Sequence, residues 1–335
     1  MNIKLISIAI ATATVSLTAN AAFVSVINGS VGSDANPPQN IVIGEIDGGT
    51  PPQPDPSGTA RYKDIYGVYD GAFAIDKNGD LWAIGDNQMG NFGNGSTAKL
   101  NDWSKVATGD YVDVAASGGG SILINSTGDL LATGANWGGR LGDGTENDFH
   151  TWKVVQSGSF KQVEAGNGEF FAIDSSNNLW AVQSNSWTVI ASNVKDISAY
   201  DSDNIFYIDT SGELYYRDNY GTWHKGSVSG GEDLVGHYLV KSDGVYEVRN
   251  DGTERLAVSG QYDQVVMAAE SWRGLKDGDV YFCGRSCTLE ESGDFVNLAH
   301  EPISDTTLLA DDGNDLYVKG HGVFGGSTLT INNPE

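Results

Sequence analysis

The chain has 335 residues, with 44 acidic against 19 basic side chains and a formal charge of −25. So acidic a surface repels phosphate, which excludes nucleic-acid binding and charge-driven attachment to anionic lipid. Hydrophobic residues make up 39% and aromatics 10%, enough for a core, and 44 glycines against 3 methionines favour short strands and tight turns over helices.

Residues 1–21 read as a secretory leader. Lys4 is the only charge, residues 5–19 form an apolar and small-residue run too short to span a bilayer, and Ala19-Asn20-Ala21 fits an A-x-A cleavage site. The protein is therefore expected to be exported, periplasmic or extracellular, without membrane insertion. Residues 22–60 form a Pro-rich N-terminal segment: six of the eight prolines fall between Pro37 and Pro56. Its apolar patches at 23–27 and 41–46 have strand composition. The second is the expected ring-closing strand, completing the unit that contains Leu316.

From residue 61 the chain repeats itself. A turn followed by Leu or Val and usually an aromatic recurs at Leu81-Trp82, Leu130-Leu131, Leu179-Trp180, Leu214-Tyr215, Val245-Tyr246, Val280-Tyr281 and Leu316-Tyr317, at intervals of 31 to 49 residues. Upstream of each lies a second element, mostly an aromatic two or three residues before an apolar β-former, as in Tyr111-Val112-Asp113-Val114, Phe160-Lys161-Gln162-Val163 and Tyr262-Asp263-Gln264-Val265. An apolar strand and an Asp/Asn/Gly hairpin turn separate the two elements. Each unit reads as strand, strand, turn, strand and a variable end containing a fourth strand. Residues 61–331 are accordingly expected to form an all-β, seven-bladed β-propeller of short four-stranded antiparallel blades.

The variable ends of the first two units share a motif. Gly85, Asn87, Gly90, Gly93 and Gly95 align with Gly134, Asn136, Gly139, Gly142 and Gly144 in a G-x-N-x-x-G-x-[FL]-G-x-G run. This pattern resembles the regulator of chromosome condensation repeat family, and its glycines suit a compact loop with positive φ. The resemblance covers about residues 61–331, with the diagnostic loop in the first two units only. It implies a propeller. The nuclear nucleotide-exchange and chromatin-binding activities of eukaryotic members do not transfer to an exported acidic chain. A secreted β-lactamase-inhibitor propeller of the same family is closer in address and implies a rigid disc that binds protein.

Trp103, Trp152, Trp187 and Trp223 recur in register after the anchor strand. They are either a repeated packing position or an aromatic arc on one rim. With Trp137, set in the blade 2 loop, they are the candidate partner-binding residues. Cys283 and Cys287, the only cysteines, flank a short turn and are expected to form a structural disulfide. The acidic turns 76–80 and 311–315 offer oxygen ligands that suit calcium, yet Asp and Gly are also what a bare hairpin needs. No cofactor or metal site is therefore expected, with calcium as the alternative. His150, His224, His237, His300 and His321 are scattered and belong to no nucleophile or zinc motif, so no catalytic residue is assigned. The expected function is a monomeric, non-enzymatic binding module for a protein or cell-surface glycan, including inhibition of a secreted enzyme. The alternative is a polysaccharide hydrolase or lyase with its site in a central channel.

Overall fold

The computed structural model describes residues 62–68, 71–166, 168–199, 205–218, 220–268, 271–284, 286–293, 295, 297–298, 308–311, 316–319 and 328–331. The leader, the Pro-rich segment, the strand expected at 41–46, His300 and His321 lie outside the described residues.

Blade 1 is formed by Tyr62–Val68, Gly71–Asp76, Leu81–Gly85 and Leu100–Ala107, and blade 2 by Tyr111–Ser117, Gly120–Asn125, Leu130–Gly134 and Phe149–Gln156. Blade 3 comprises Phe160–Gly166, Glu169–Asp174, Leu179–Gln183 and Ser186–Ala191; blade 4 comprises Val194–Ala199, Ile205–Asp209, Leu214–Arg217 and Trp223–Lys225. Blade 5 is Asp233–Val235, Tyr238–Lys241, Gly244–Val248 and Glu254–Ser259, and blade 6 is Gln264–Ala268, Ser271–Lys276, Asp279–Cys283 and Cys287–Glu291. Every blade is an antiparallel meander, and the first strands of successive blades lie side by side as the innermost layer.

The expectation of a seven-bladed propeller is corrected here to six blades, those with described side-chain packing across the strands. Asn297–Leu298, Leu308–Asp311, Leu316–Lys319 and Thr328–Ile331 pair as a further antiparallel sheet between blades 6 and 1, of whose side chains only the buried Leu298, beside Phe295, is described.

The anchor repeat has a direct physical basis. Asp76 Oδ1 accepts hydrogen bonds from the backbone N–H of Asn78 (2.8 Å) and Asp80 (3.0 Å), while Oδ2 accepts from the Trp82 indole (2.9 Å). Asp174 does the same with Ser176, Asn178 and the Trp180 indole. The turn carboxylate thus folds the hairpin and fixes the aromatic of the anchor strand. These N–H donors occupy the Asp76 carboxylate, the first of the acidic turns; residues 312–315 of the other lie outside the described residues.

The upstream element stitches one blade to the next. Asp113 Oδ2 accepts from Val163 N–H across the blade 2–3 boundary, and Asp196 Oδ2 accepts from Leu234 N–H across the blade 4–5 boundary, both at 2.7 Å. Gln264 repeats the contact with both backbone groups of Leu298, at 2.7 and 3.0 Å. Between the blades the second strands supply the core: Phe73, Ile122, Phe171 and Phe206 are all essentially inaccessible. Cys283 and Cys287 face each other across the last hairpin of blade 6 and form a disulfide, as expected.

Candidate functional site: the loop slots and the groove between blades 3 and 4

In blades 1 and 2 the third and fourth strands are joined by the glycine motif loops. At the centre of each is an inaccessible asparagine. Asn87 Oδ1 accepts from Phe92 N–H (2.9 Å) and its amide donates to Ser96 O (2.9 Å). Asn136 Oδ1 accepts from Leu141 N–H (2.9 Å) and its amide donates to Thr145 O (2.9 Å) and Asp143 Oδ1 (3.1 Å). A buried amide satisfied on both sides holds the loop closed and drives Phe92 or Leu141 into the core, where neither is accessible.

The motif glycines serve the neighbouring blade. A Cβ at Gly93 would lie 2.5 Å from the Trp152 indole nitrogen of blade 2, and one at Gly142 would lie 2.5 Å from that of Trp187 in blade 3. Gly90 is pressed in the same way against His150, and Gly139 against Asn185. Backbone contacts finish the clamp: Gly95 N–H donates to His150 O and Gly144 N–H to Asn185 O, both at 2.8 Å. Each long loop therefore lies in a slot on the following blade, over its outer-strand tryptophan.

This arrangement decides where the tryptophans sit. Trp103 and Trp187 are buried, Trp152 and Trp223 are half-buried, and Trp137 alone of the five is exposed, at 57%. The structure does not gather them into one exposed arc. Trp152 packs on Phe73 of blade 1, and Trp223 packs edge-on against Tyr207 at 4.8 Å. Burial, with Tyr215 and Asp209 nearby, pushes the Tyr207 hydroxyl up to about 12. Trp137 opens a single 3-10 turn, Trp137–Gly139, and the Arg140 guanidinium lies 4.9 Å from the ring centre. Arg140 is itself anchored on the carbonyls of Ala135 and Gly118. Burial lowers its hold on the proton, opposed by Asp148. The exposed indole thus stands on a fixed cation, an arrangement that keeps a surface aromatic in one orientation.

Blade 3 lacks the loop. Its third and fourth strands are joined by a two-residue hairpin, with Ser184 and Asn185 at φ 50° and 63°. Beside it opens a groove of about 530 Å³, lined by Arg140 from the blade 2 loop, by Glu169, Phe171 and Val189 of blade 3, and by Arg217 and Trp223 of blade 4. Arg217 pairs with Glu169 at 2.7 Å and lies 5.8 Å from the centre of the Phe171 ring. The exposed Val189 lines this opening, and the exposed Trp137 lies over the lining residue Arg140.

The sequence reading missed Glu169, Gln183, Arg217 and the groove itself. Two signals were present: the anchor interval drops from 49 to 35 residues after blade 3, and Glu169 and Gln183 stand where blades 1 and 2 have the paired glycines Gly71–Gly85 and Gly120–Gly134. His150, His224 and His237 fall on blades 2, 4 and 5, and His224 is taken up by Asp218 at 2.8 Å. Among the described residues no three His, Cys, Asp or Glu side chains gather as a metal site, and no helix is long and apolar enough to cross a membrane.

No protein-family model matches the chain, and no curated protein matches it in sequence. Solved structures similar to it include PorZ, a surface component of the type-IX secretion system of Porphyromonas gingivalis, with a TM-score of 0.52, 13% identity, and coverage of 83% of this chain and 38% of that one. The β-propeller domain of Cps50 (Swd1) from Myceliophteria thermophila has a TM-score of 0.50 and 13% identity, over 75% and 93% of the two chains. Prp20p from Saccharomyces cerevisiae has a TM-score of 0.49 and 13% identity, over 81% and 76%. PorZ and Cps50 establish the propeller fold. Fold alone does not assign chemistry.

Proposed function

We propose that the protein is an exported, monomeric, non-enzymatic binding module that engages a protein partner on the face carrying Trp137 and the blade 3–4 groove. The observation that carries this reading is Trp137, a large exposed aromatic held in place by Arg140, whose side chain lines that groove together with the exposed Val189. Rigid aromatic anchors next to a concavity are where interface energy concentrates. A stitched ring presenting loops is a suitable platform for them. Export is supported by the leader reading of residues 1–21 and is compatible with the Cys283–Cys287 disulfide.

Affinity capture from periplasmic and culture-surface extracts, comparing the mature chain with Trp137→Ala, tests the reading. The expected result is a saturable protein partner that the variant loses at least tenfold while its thermal midpoint is unchanged. Equal capture by both forms would overturn it, as would capture of glycan alone.

A further inference from the structure

We infer that the groove between blades 3 and 4 is an open copy of the slot that blades 1 and 2 fill with their own loops, and that it receives a loop of a partner protein carrying a bulky apolar side chain next to a basic one. This rests on the binding-module reading and specifies its ligand.

Strand register supports the equivalence. Val182 is paired with Trp187 in blade 3, and Arg217 with Trp223 in blade 4, so the two tryptophans hold the same place. In the closed slot between blades 1 and 2, Phe73 meets the loop's Phe92 at 5.2 Å and the next blade's Trp152 at 6.3 Å. In the open one, Phe171 takes the place of Phe73 and Trp223 that of Trp152, and among the described residues the Arg217 guanidinium, not a loop side chain, lies over Phe171. The backbone position that accepts the clamping bond is His150 or Asn185 in the closed slots, two residues before the tryptophan. Its counterpart in blade 4 is Gly221, which lines the groove and has nothing within 4 Å of its Cβ position.

The chain itself shows what such a slot accepts: a loop with Phe92 or Leu141 at its tip and a backbone N–H for the strand edge. Among the described residues blade 3 offers only a two-residue hairpin there, and the proposal assigns that loop to a partner. The rim itself carries Arg140 and Arg217 beside the half-exposed Glu169, which Arg217 already pairs, so the preference for a basic partner rests on the net charge of −25. Glu169 and Gln183 replace glycines that in blade 2 leave room for a tightly pressed loop; a Cβ at Gly120 would be 3.1 Å from Leu141. The incoming loop therefore rides higher than a loop of the chain's own and meets polar groups at the mouth.

The probe is a cyclised peptide with the sequence of residues 134–146, which contains Arg140-Leu141, titrated calorimetrically against the mature chain. The expected result is saturable one-site binding, weakened at least tenfold by Leu→Ala at the tip of the peptide. The same loss is expected with Trp223→Ala, and with Glu169→Lys, an exposed change that leaves the core intact. Absence of saturable binding, or binding indifferent to all three changes, would overturn the inference. Peptide binding that emerges only after residues 22–60 are removed would assign the groove to the chain's own N-terminal segment, and dimerisation reversed by the peptide would assign it to a second copy; both overturn the partner loop. If the peptide fails while Trp137-dependent capture persists, this inference falls and the binding-module reading stands.

Discussion

Blades 2 and 3 meet through a loop that crosses the boundary, whereas blades 3 and 4 meet with that loop missing. The strand plan is the same on both sides, and so is the tryptophan position. At the first boundary Gly142 rests on Trp187 and Asn136 locks the loop; at the second Trp223 lines an opening bordered by Glu169 and Arg217. The difference teaches that a repeat can turn a packing position into a binding position simply by losing the segment that covers it. The tryptophan stays because the blade still needs it, and its uncovered edge becomes surface.

The comparison breaks most readily at the tryptophans. Trp187→Ala should cost about 4 kcal/mol in urea denaturation, as expected for a buried aromatic, and Trp223→Ala only about half that. Equal losses would mean that the two slots are equally closed. Glycines give the next largest contrast. Gly142→Ala combines positive φ with a clash against the indole and should cost about 3 kcal/mol, while Gly221→Ala, with the φ term alone, should cost about 1 kcal/mol. Asn136→Ala leaves Leu141 N–H and the loop carbonyls without their buried partner, for an expected loss of about 2 kcal/mol.

The smallest effect sharpens the account at the blade 4–5 boundary, on the open side. Desolvation, followed by the Asp196 charge beside it, raises the Asp233 carboxyl above its ordinary value. Its folded value lies above the unfolded one, so the folded chain holds a proton that the unfolded chain releases. Stability from this group is therefore present at low pH and is lost as pH rises through its raised folded value. Asp233→Asn should raise the thermal midpoint by about 2 °C at pH 8 and leave it unchanged near pH 4.

Much of this architecture is legible in local sequence because local chemistry produces it. The Asp76 and Asp174 turns, the anchor aromatics, the paired glycine loops and the Cys283–Cys287 bridge each depend on residues a few positions apart. The fate of the tryptophans is not legible in that way. Trp152 and Trp187 are covered by glycines of the preceding blade, roughly fifty residues upstream, so their spacing alone fits a packing site and an exposed arc equally well. The groove is written as a deletion, in the shortened interval after Leu179, and a deletion names no residue. Glu169 and Gln183 acquire meaning only once register shows that they hold the positions of the glycine pairs in blades 1 and 2.

The most direct measurement is a loop graft: replace Ser184-Asn185 by the sequence of residues 135–148, with Glu169→Gly and Gln183→Gly to restore the glycine pair. If the blade 3–4 groove is an open copy of the loop slot, the graft fills it, raises the thermal midpoint above that of the Glu169→Gly, Gln183→Gly parent and abolishes binding of the cyclised peptide. An unchanged midpoint with peptide binding intact would show that the groove is not that slot, and would contradict the account.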